Sequence, residues 1–488
     1  MPTAHTEPTM PILTGGAPCL RAPFLRPFVS KCPTALVLVV FSLLSAPQTS
    51  RAQALGPTPQ PEPILITPAQ AEQEPEEQWA LHGQSTFVWQ GQPGFRSPYV
   101  GAHSLPPDAN GRQTFDITIY GGVRLWQGAE FWVNPEIDQG FGLGNSLGVA
   151  GYLSGEAYKL GATDPYGRLA RAFLRQTIDL GGEEEKLDPD LNQLGGTQTA
   201  NRVVITIGKF SVVDIFDTNR FAHDPRGDFL NWAVLDLGSF DYAADAWGFT
   251  YGAAAEWYQG RWTARVGAFD MTNMPNSAYL AVPLLQQNQY VAELEERHTL
   301  WDQPGKLKAL YWITFGNLGT YNDALAVGAA TGQTPVTGDV RHWQSKYGVG
   351  FNLEQQITTD LGMFARAGWS QGSVEEVDFT DINQSASIGL SLAGTRWGRP
   401  DDTVGLAGVV NQISHAGKDY LAAGGLGGII GDGQLPKAGP EQILETYYKY
   451  SIASFANISA DYQFVNNPAY NRERGPVSAF ALRLHAQF

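Results

Sequence analysis

Residues 115–126 read FDITIYGGVRLW, and residues 129–136 read AEFWVNPE, with Gln127-Gly128 between them. In the first stretch Phe115, Ile117, Ile119, Gly121, Val123 and Leu125 take one set of alternate positions. Asp116, Thr118, Tyr120, Gly122, Arg124 and Trp126 take the other. After the turn, Ala129, Phe131 and Val133 oppose Glu130, Trp132, Asn134 and Glu136. Side chains on a strand point alternately to opposite faces. The two stretches therefore predict a β-hairpin with one apolar and one polar side, turning at Gln127-Gly128.

The same period recurs along the chain. Ala170, Ala172, Leu174 and Ile178 alternate with Arg171, Phe173, Arg175 and Asp179. Leu307, Ala309, Tyr311, Ile313 and Phe315 alternate with Lys308, Leu310, Trp312 and Thr314. Tyr347, Val349, Phe351 and Leu353 face away from Asn352 and Glu354, and Leu361, Met363, Ala365, Ala367 and Trp369 away from Arg366 and Ser370. No charge falls on the apolar side of these segments. A lipid-facing Arg or Lys at mid-membrane costs about 2–4 kcal/mol, which gives that absence a physical cause. A soluble sandwich also alternates, but its outer face usually carries many Lys and Glu. Here the polar side mixes Gly, Ser, Thr and Tyr with isolated charges, as a packed or wet lumen would.

About sixteen such segments are expected, an even number suited to a closed antiparallel barrel. They are 79–90, 113–126, 129–138, 168–180, 201–210, 242–258, 261–270, 287–300, 306–317, 344–355, 360–371, 382–394, 402–413, 442–453, 457–465 and 477–488. The stretch 287–300 is the least clean, because it contains Glu293 and Glu296. Long and short connections alternate, apart from an interruption at 181–200. Gln127-Gly128, Gln259-Gly260, Gln303-Pro304-Gly305 and Arg399-Pro400-Asp401 read as the short ones. Outer-membrane barrels have short periplasmic turns and long outer loops, so the asymmetry orients the barrel. The chain ends with Phe480, Leu482, Leu484, Ala486 and Phe488 on one face. A final strand ending in Phe488 resembles the closing strand read by the outer-membrane assembly machinery.

Composition agrees. The 488 residues are 43% hydrophobic, 16% charged and 11% aromatic, with 55 Gly and a formal charge of −16. So many aromatics exclude disorder, so much Gly excludes a coiled coil, and the acidic balance speaks against a nucleic-acid binder. A mean hydropathy of −0.20, with no second long apolar run, excludes a polytopic helical membrane protein. Arg21, Arg26 and Lys31 precede the apolar run Thr34–Ala46, and Ala52-Gln53-Ala54 follows, which predicts a signal peptide over 1–54. Losing its four cations and one acid deepens the charge to −19. Residues 55–78, rich in Pro, Glu and Gln, read as a linker, and 79–488 as the barrel. Cys19 and Cys32 both fall in the leader, which leaves the mature chain neither a disulfide framework nor a thiolate nucleophile.

The most distinctive connection runs from Gly208 to Tyr242. It sets Asp214, Asp217, Arg220, Asp224, Arg226 and Asp228 among Phe210, Phe216, Phe221, Phe229 and Trp232. A loop standing in water rarely needs so many aromatics. Folded into the lumen, it would bury them on the wall, present charges to the channel and narrow a barrel wide enough to hold water. A loop plugged by its own core is the alternative.

This connection resembles the carbohydrate-selective porins of the OprB family. The matching residues are Gly208-Lys209-Phe210, Asp214-Ile215-Phe216-Asp217 with Asn219, Asp224-Pro225-Arg226, Phe229-Leu230-Asn231-Trp232 and Asp241 to Asp245. Asn134-Pro135-Glu136, Leu147 to Gly151, Gly155-Glu156-Ala157-Tyr158, Arg171 to Gln176 and Asn467-Pro468 are similar to that family too. The resemblance implies passive sugar uptake across a Gram-negative outer membrane, by a monomer or a homo-oligomer. The acidic insertion from Glu183 to Thr199 is less typical of the family.

A sugar offers vicinal hydroxyls and a weakly apolar C–H face. Arg and carboxylate groups bind hydroxyls by charge-assisted hydrogen bonds while an aromatic ring covers the face. The inward candidates are Glu130, Trp132, Asn134, Glu136, Arg171, Phe173 and Arg175. From the loop come Asp214, Asp217, Asn219, Arg220, Asp224, Arg226 and Trp232. For Arg171 and Arg175 a wall ion pair with Glu130 or Glu136 is the competing role. Alternative functions are a general or anion-selective porin and, from another class, an outer-membrane lipid hydrolase; a soluble all-β binding protein is the third. Gly144-Asn145-Ser146-Leu147-Gly148 matches G-x-S-x-G but lies in a Gly-rich loop without the strand–turn–helix elbow that motif needs. No metal- or phosphate-binding motif is present, so no cofactor is expected.

Overall fold

The computed structural model describes residues 76–157, 161–378 and 381–488; the expected leader, 1–54, and all but the last residues of the expected linker lie outside them. Among the described residues, sixteen strands form one closed antiparallel barrel. They are β1 (Trp79–Gln92), β2 (Asn110–Trp126), β3 (Ala129–Gly140), β4 (Ala162–Leu187), β5 (Gly196–Phe210), β6 (Thr250–Gln259), β7 (Trp262–Asp270) and β8 (Asn288–Leu300). Then follow β9 (Gln303–Leu318), β10 (His342–Gln356), β11 (Leu361–Ser370), β12 (Gln384–Gly394), β13 (Arg399–Gln412), β14 (Glu441–Ala453), β15 (Ala456–Asn466) and β16 (Val477–Gln487). Every strand pairs with its neighbours in sequence, and β16 closes on β1 from Gln487 opposite Gln84 to Phe480 opposite Gly91. Phe488 extends the seam, exchanging two 2.9 Å backbone hydrogen bonds with Gly83.

Alternation sorts the side chains as expected. On β2, Ile117, Ile119 and Val123 are exposed on the outside, whereas Asp116, Thr118 and Tyr120 are buried within. Trp79, Trp126, Trp257, Trp262 and Tyr450 ring the rim that carries the short turns; Trp89, Tyr290, Trp343 and Phe480 ring the other. Such paired aromatic girdles mark the two membrane–water interfaces. Glu293, which made 287–300 look irregular, points inward and is buried. Glu296 sits at the rim beside Arg261 (3.6 Å).

The structure corrects several boundaries. The turn expected at Gln303-Pro304-Gly305 lies at Trp301-Asp302, whose φ values of 55° and 56° suit a two-residue hairpin turn with left-handed centres. The turn expected at 399–401 lies at 395–398 instead. In both cases Pro occupies the second residue of the following strand, a strand-end position where its missing N–H is tolerated. The strand expected from 242 begins at Thr250, because residues 242–249 belong to the preceding loop. The supposed interruption at 181–200 is mostly strand: β4 and β5 continue to Leu187 and from Gly196. Register shifts near Gly181 bend this extension, which is why simple alternation breaks there. A further shift, beside Pro135, bulges β4 near Ala170. Ala170 is fully buried, and Arg168 joins Arg171 on the inner side.

Ile388 on β12 is 58% exposed on the lipid side. Ile388→Arg should lower the barrel's stability by about 2–4 kcal/mol, measured as an earlier urea midpoint in phospholipid vesicles.

Candidate functional site

The connection between β5 and β6, residues 211–249, runs inside the barrel. It contains a single turn at Val212–Asp214 and a four-residue helix at Trp232–Leu235, so most of its backbone groups have no regular partners. Buried N–H and C=O groups left unpaired are costly. The inner wall supplies the partners. Glu293 of β8 accepts from Asp217 N–H (2.8 Å), and Glu354 of β10 from Arg220 N–H (2.8 Å). Glu445 of β14 accepts from Leu230 and Asn231, and Gln289 of β8 from Ala243 (3.0 Å). Wall cations take the carbonyls: Arg366 of β11 donates to Asp217, Ala222 and Val234, and Arg483 of β16 to Pro225 and Asp228.

Aromatic packing fixes the same side of the loop. Phe216 stands edge-on to Phe269 at 6.0 Å, and Phe229 packs between Phe364 (5.5 Å) and Tyr447 (5.0 Å). Inward glycines make room for it. A Cβ on Gly362 would lie 2.1 Å from Phe221, and one on Gly350 would lie 2.3 Å from Leu237. The wall beneath the loop is therefore thin where the loop is thick.

The opposite edge of the loop meets β2, β3 and β4 in a charged cluster. Arg171 forms a two-pronged pair with Asp214 (2.6 and 2.7 Å). Arg226 lies 3.1 Å from Glu156, 3.3 Å from Asp116 and 3.5 Å from Glu136, and donates to Tyr120 (3.2 Å). Arg168 binds Glu136 and Asp138. Phe249 lies under both Arg168 (4.8 Å) and Arg171 (4.9 Å). Burial favours neutral acids at Asp214 and Asp224, but Arg171 and Arg226 outweigh it and hold both carboxyls below their ordinary range. Burial, together with the nearby Asp224, pushes Asp228 up to about 7.

The sequence candidates thus fall into groups. Arg171, Asp224 and Arg226 are half-buried and Asp214 is exposed; Arg220 is half-buried too. Glu136 is buried within the Arg168 and Arg226 cluster. Asp217 and Asn219 are buried on the far wall, Asp217 pairing Arg366 at 3.1 Å and Asn219 bonding Asn352 at 2.7 Å. Trp232 stacks on Tyr152 (5.0 Å) beneath the loop. Trp132 is fully buried and donates to Glu130 (3.0 Å); Phe173 packs on Phe210 (6.4 Å). Arg175 does approach Glu130, at 3.9 Å, whereas Arg171 pairs with Asp214 rather than with a wall acid. Asn134 bonds Asn192 (2.9 Å).

Arg168, Asp116 and Glu156 belong to the cluster without having been singled out. Arg168 was hidden by the bulge. Asp116 was detectable: the hairpin register sets it opposite Asp138, and two facing acids require a cation nearby. Ser146 of the G-x-S-x-G match is buried in a run of left-handed residues, bonded to Ala157 C=O (3.3 Å), with no elbow. Among the described residues no group of His, Cys, Asp and Glu is arranged to hold a metal.

The family model described as carbohydrate-selective porin, OprB family, matches residues 102–488. The solved structure of Pseudomonas putida OprB superposes with a TM-score of 0.65 at 16% identity, covering 84% of this chain and 94% of that one. Acinetobacter baumannii OccAB1 covers 84% of this chain and 96% of its own at 14% identity, with a TM-score of 0.44. No curated protein matches the chain.

Asp217→Asn retains the side chain's shape but leaves Arg366 without its carboxylate. A buried guanidinium so deprived should cost about 3 kcal/mol. The urea midpoint should fall, and trypsin should cut at Arg220 or Arg226 in the variant while sparing the parent barrel.

Proposed function

The chain belongs to the OprB family of carbohydrate-selective porins, a sugar channel of the outer membrane, and we propose that its eyelet is bordered by the charged cluster at which the 211–249 loop meets the β2–β4 wall. One observation carries this reading: Arg171 and Asp214, and Arg226 with Asp116, Glu136 and Glu156, put paired opposite charges together where the loop meets the open channel.

Paired charges suit a neutral polyol. A sugar hydroxyl can donate to the open lone pairs of Asp214 or accept from Arg171 or Arg226, replacing water at each step. The ions already satisfy one another, so a hydroxyl gains little beyond what water gave, and the sugar leaves easily. Channel conduction needs such weak, repeated binding. A hydrated ion meets both signs in close succession, which supports a sugar pathway over an anion-selective one. Asp217, Asn219 and Trp232 have the different task of holding the loop in place, and Arg220 reaches the channel from the loop's other limb.

Vesicles containing the channel should swell in glucose faster than protein-free vesicles. Arg171→Ala should raise the disaccharide rate more than the monosaccharide rate, because it removes a narrowing side chain and frees Asp214. Wild-type swelling no faster than the control would refute sugar passage.

A further inference from the structure

On the side of the short turns, which faces the periplasm, β4 and β5 outrun the barrel. Gly181 and Gly182 adopt φ values of 90° and 104°, a left-handed backbone natural to glycine, and the pairing slips between Asp179 and Glu184. Beyond this bend the hairpin does not stand free in solution. Its tip, residues 188–195, turns back into the barrel mouth. Asn192 accepts from the side chain of Asn134 (2.9 Å) and, through its carbonyl, from Arg175 (2.7 Å), both on the inner wall. Leu194 is completely buried.

A latch holds the tip there. Gly195 and Glu77 exchange hydrogen bonds: Glu77 N–H donates to Gly195 C=O (3.0 Å), and the Glu77 carboxylate accepts from Gly195 N–H (2.8 Å). Arg124 donates to the carbonyls of both Glu77 (3.0 Å) and Gly195 (3.1 Å). The residues just before β1 thus fasten the tip at its base.

We propose that the 188–195 tip is a second constriction, in series with the 211–249 loop, and that Asn192 and Asp190 are its solute-facing residues. This deepens the sugar-channel reading and rests on it for the nature of the solute. A sugar leaving the eyelet would pass an amide and a carboxylate on the tip, facing His82, Glu130 and Arg175 of the wall. Short-range hydroxyl recognition would then occur twice along the path, and larger oligosaccharides would be sorted twice.

The test is single-channel conductance of Asn192→Cys, with Cys19 and Cys32 replaced by Ala so that the new thiol stands alone. Coupling a bulky, charged methanethiosulfonate reagent, with labelling verified by mass, should cut the conductance on the order of twofold or more. Replacing 188–195 with a short Gly-Ser turn should instead raise it, with the heat-dependent gel shift of the folded barrel retained. A labelled Asn192→Cys channel that conducts like the unlabelled one would overturn the proposal. Ion current reads the constriction whatever the solute, so that result would leave sugar swelling untouched. Conversely, a channel whose current responds but whose vesicles never swell in sugar would retain the second constriction and lose the sugar reading.

Discussion

An irregular loop can live inside a barrel only if its backbone is paired there, and the structure depends on that pairing. Residues 211–249 have little secondary structure of their own. Carboxylates on β8, β10 and β14 accept their N–H groups, and guanidiniums on β11 and β16 take their carbonyls. The buried charges of Glu293, Glu354, Glu445, Arg366 and Arg483 are thus compensated by loop backbone or by an opposite charge, the condition under which burying them is tolerable. Loop and wall are mutually required. Without the loop, Glu293, Glu354 and Glu445 would face a wide water-filled pore; without them, the loop would carry unpaired amides.

The inner wall serves two ends at once. Over β8–β16 it binds the loop, with glycines such as Gly350 and Gly362 admitting Leu237 and Phe221. Over β2–β4 it meets the loop's other edge with paired charges and leaves part of them open. Large aromatics provide the bulk with which the loop packs on the wall, and ion pairs join its other edge to β2–β4. The outer wall has only to satisfy lipid, and it does so with alternate apolar side chains and an aromatic ring at each rim.

How much of this could be read beforehand follows from the range of each interaction. Alternation is local, so the FDITIYGGVRLW hairpin declared itself and the strand count came out at sixteen. The loop declared itself by content, since Phe216, Phe221, Phe229 and Trp232 have no reason to stand in water. Partners far apart in the chain stayed hidden. Asp217 and Arg366 are separated by nearly a third of the sequence, and nothing local distinguishes Asp217, which is buried and anchors the loop, from Asp214, which is exposed and pairs with Arg171. Bulges hid the rest: one extra residue near Ala170 turned Arg168 inward, and the bend at Gly181 made a folded hairpin look like a break.

Amide hydrogen exchange over residues 211–249, followed by mass spectrometry on the folded channel in lipid, tests the loop's placement most directly. If wall carboxylates hold the loop's N–H groups, peptides from this segment will exchange as slowly as those from the strands, despite having almost no helix or sheet. Complete exchange at the earliest time points would mean that the segment lies outside the lumen and that the eyelet described here does not exist.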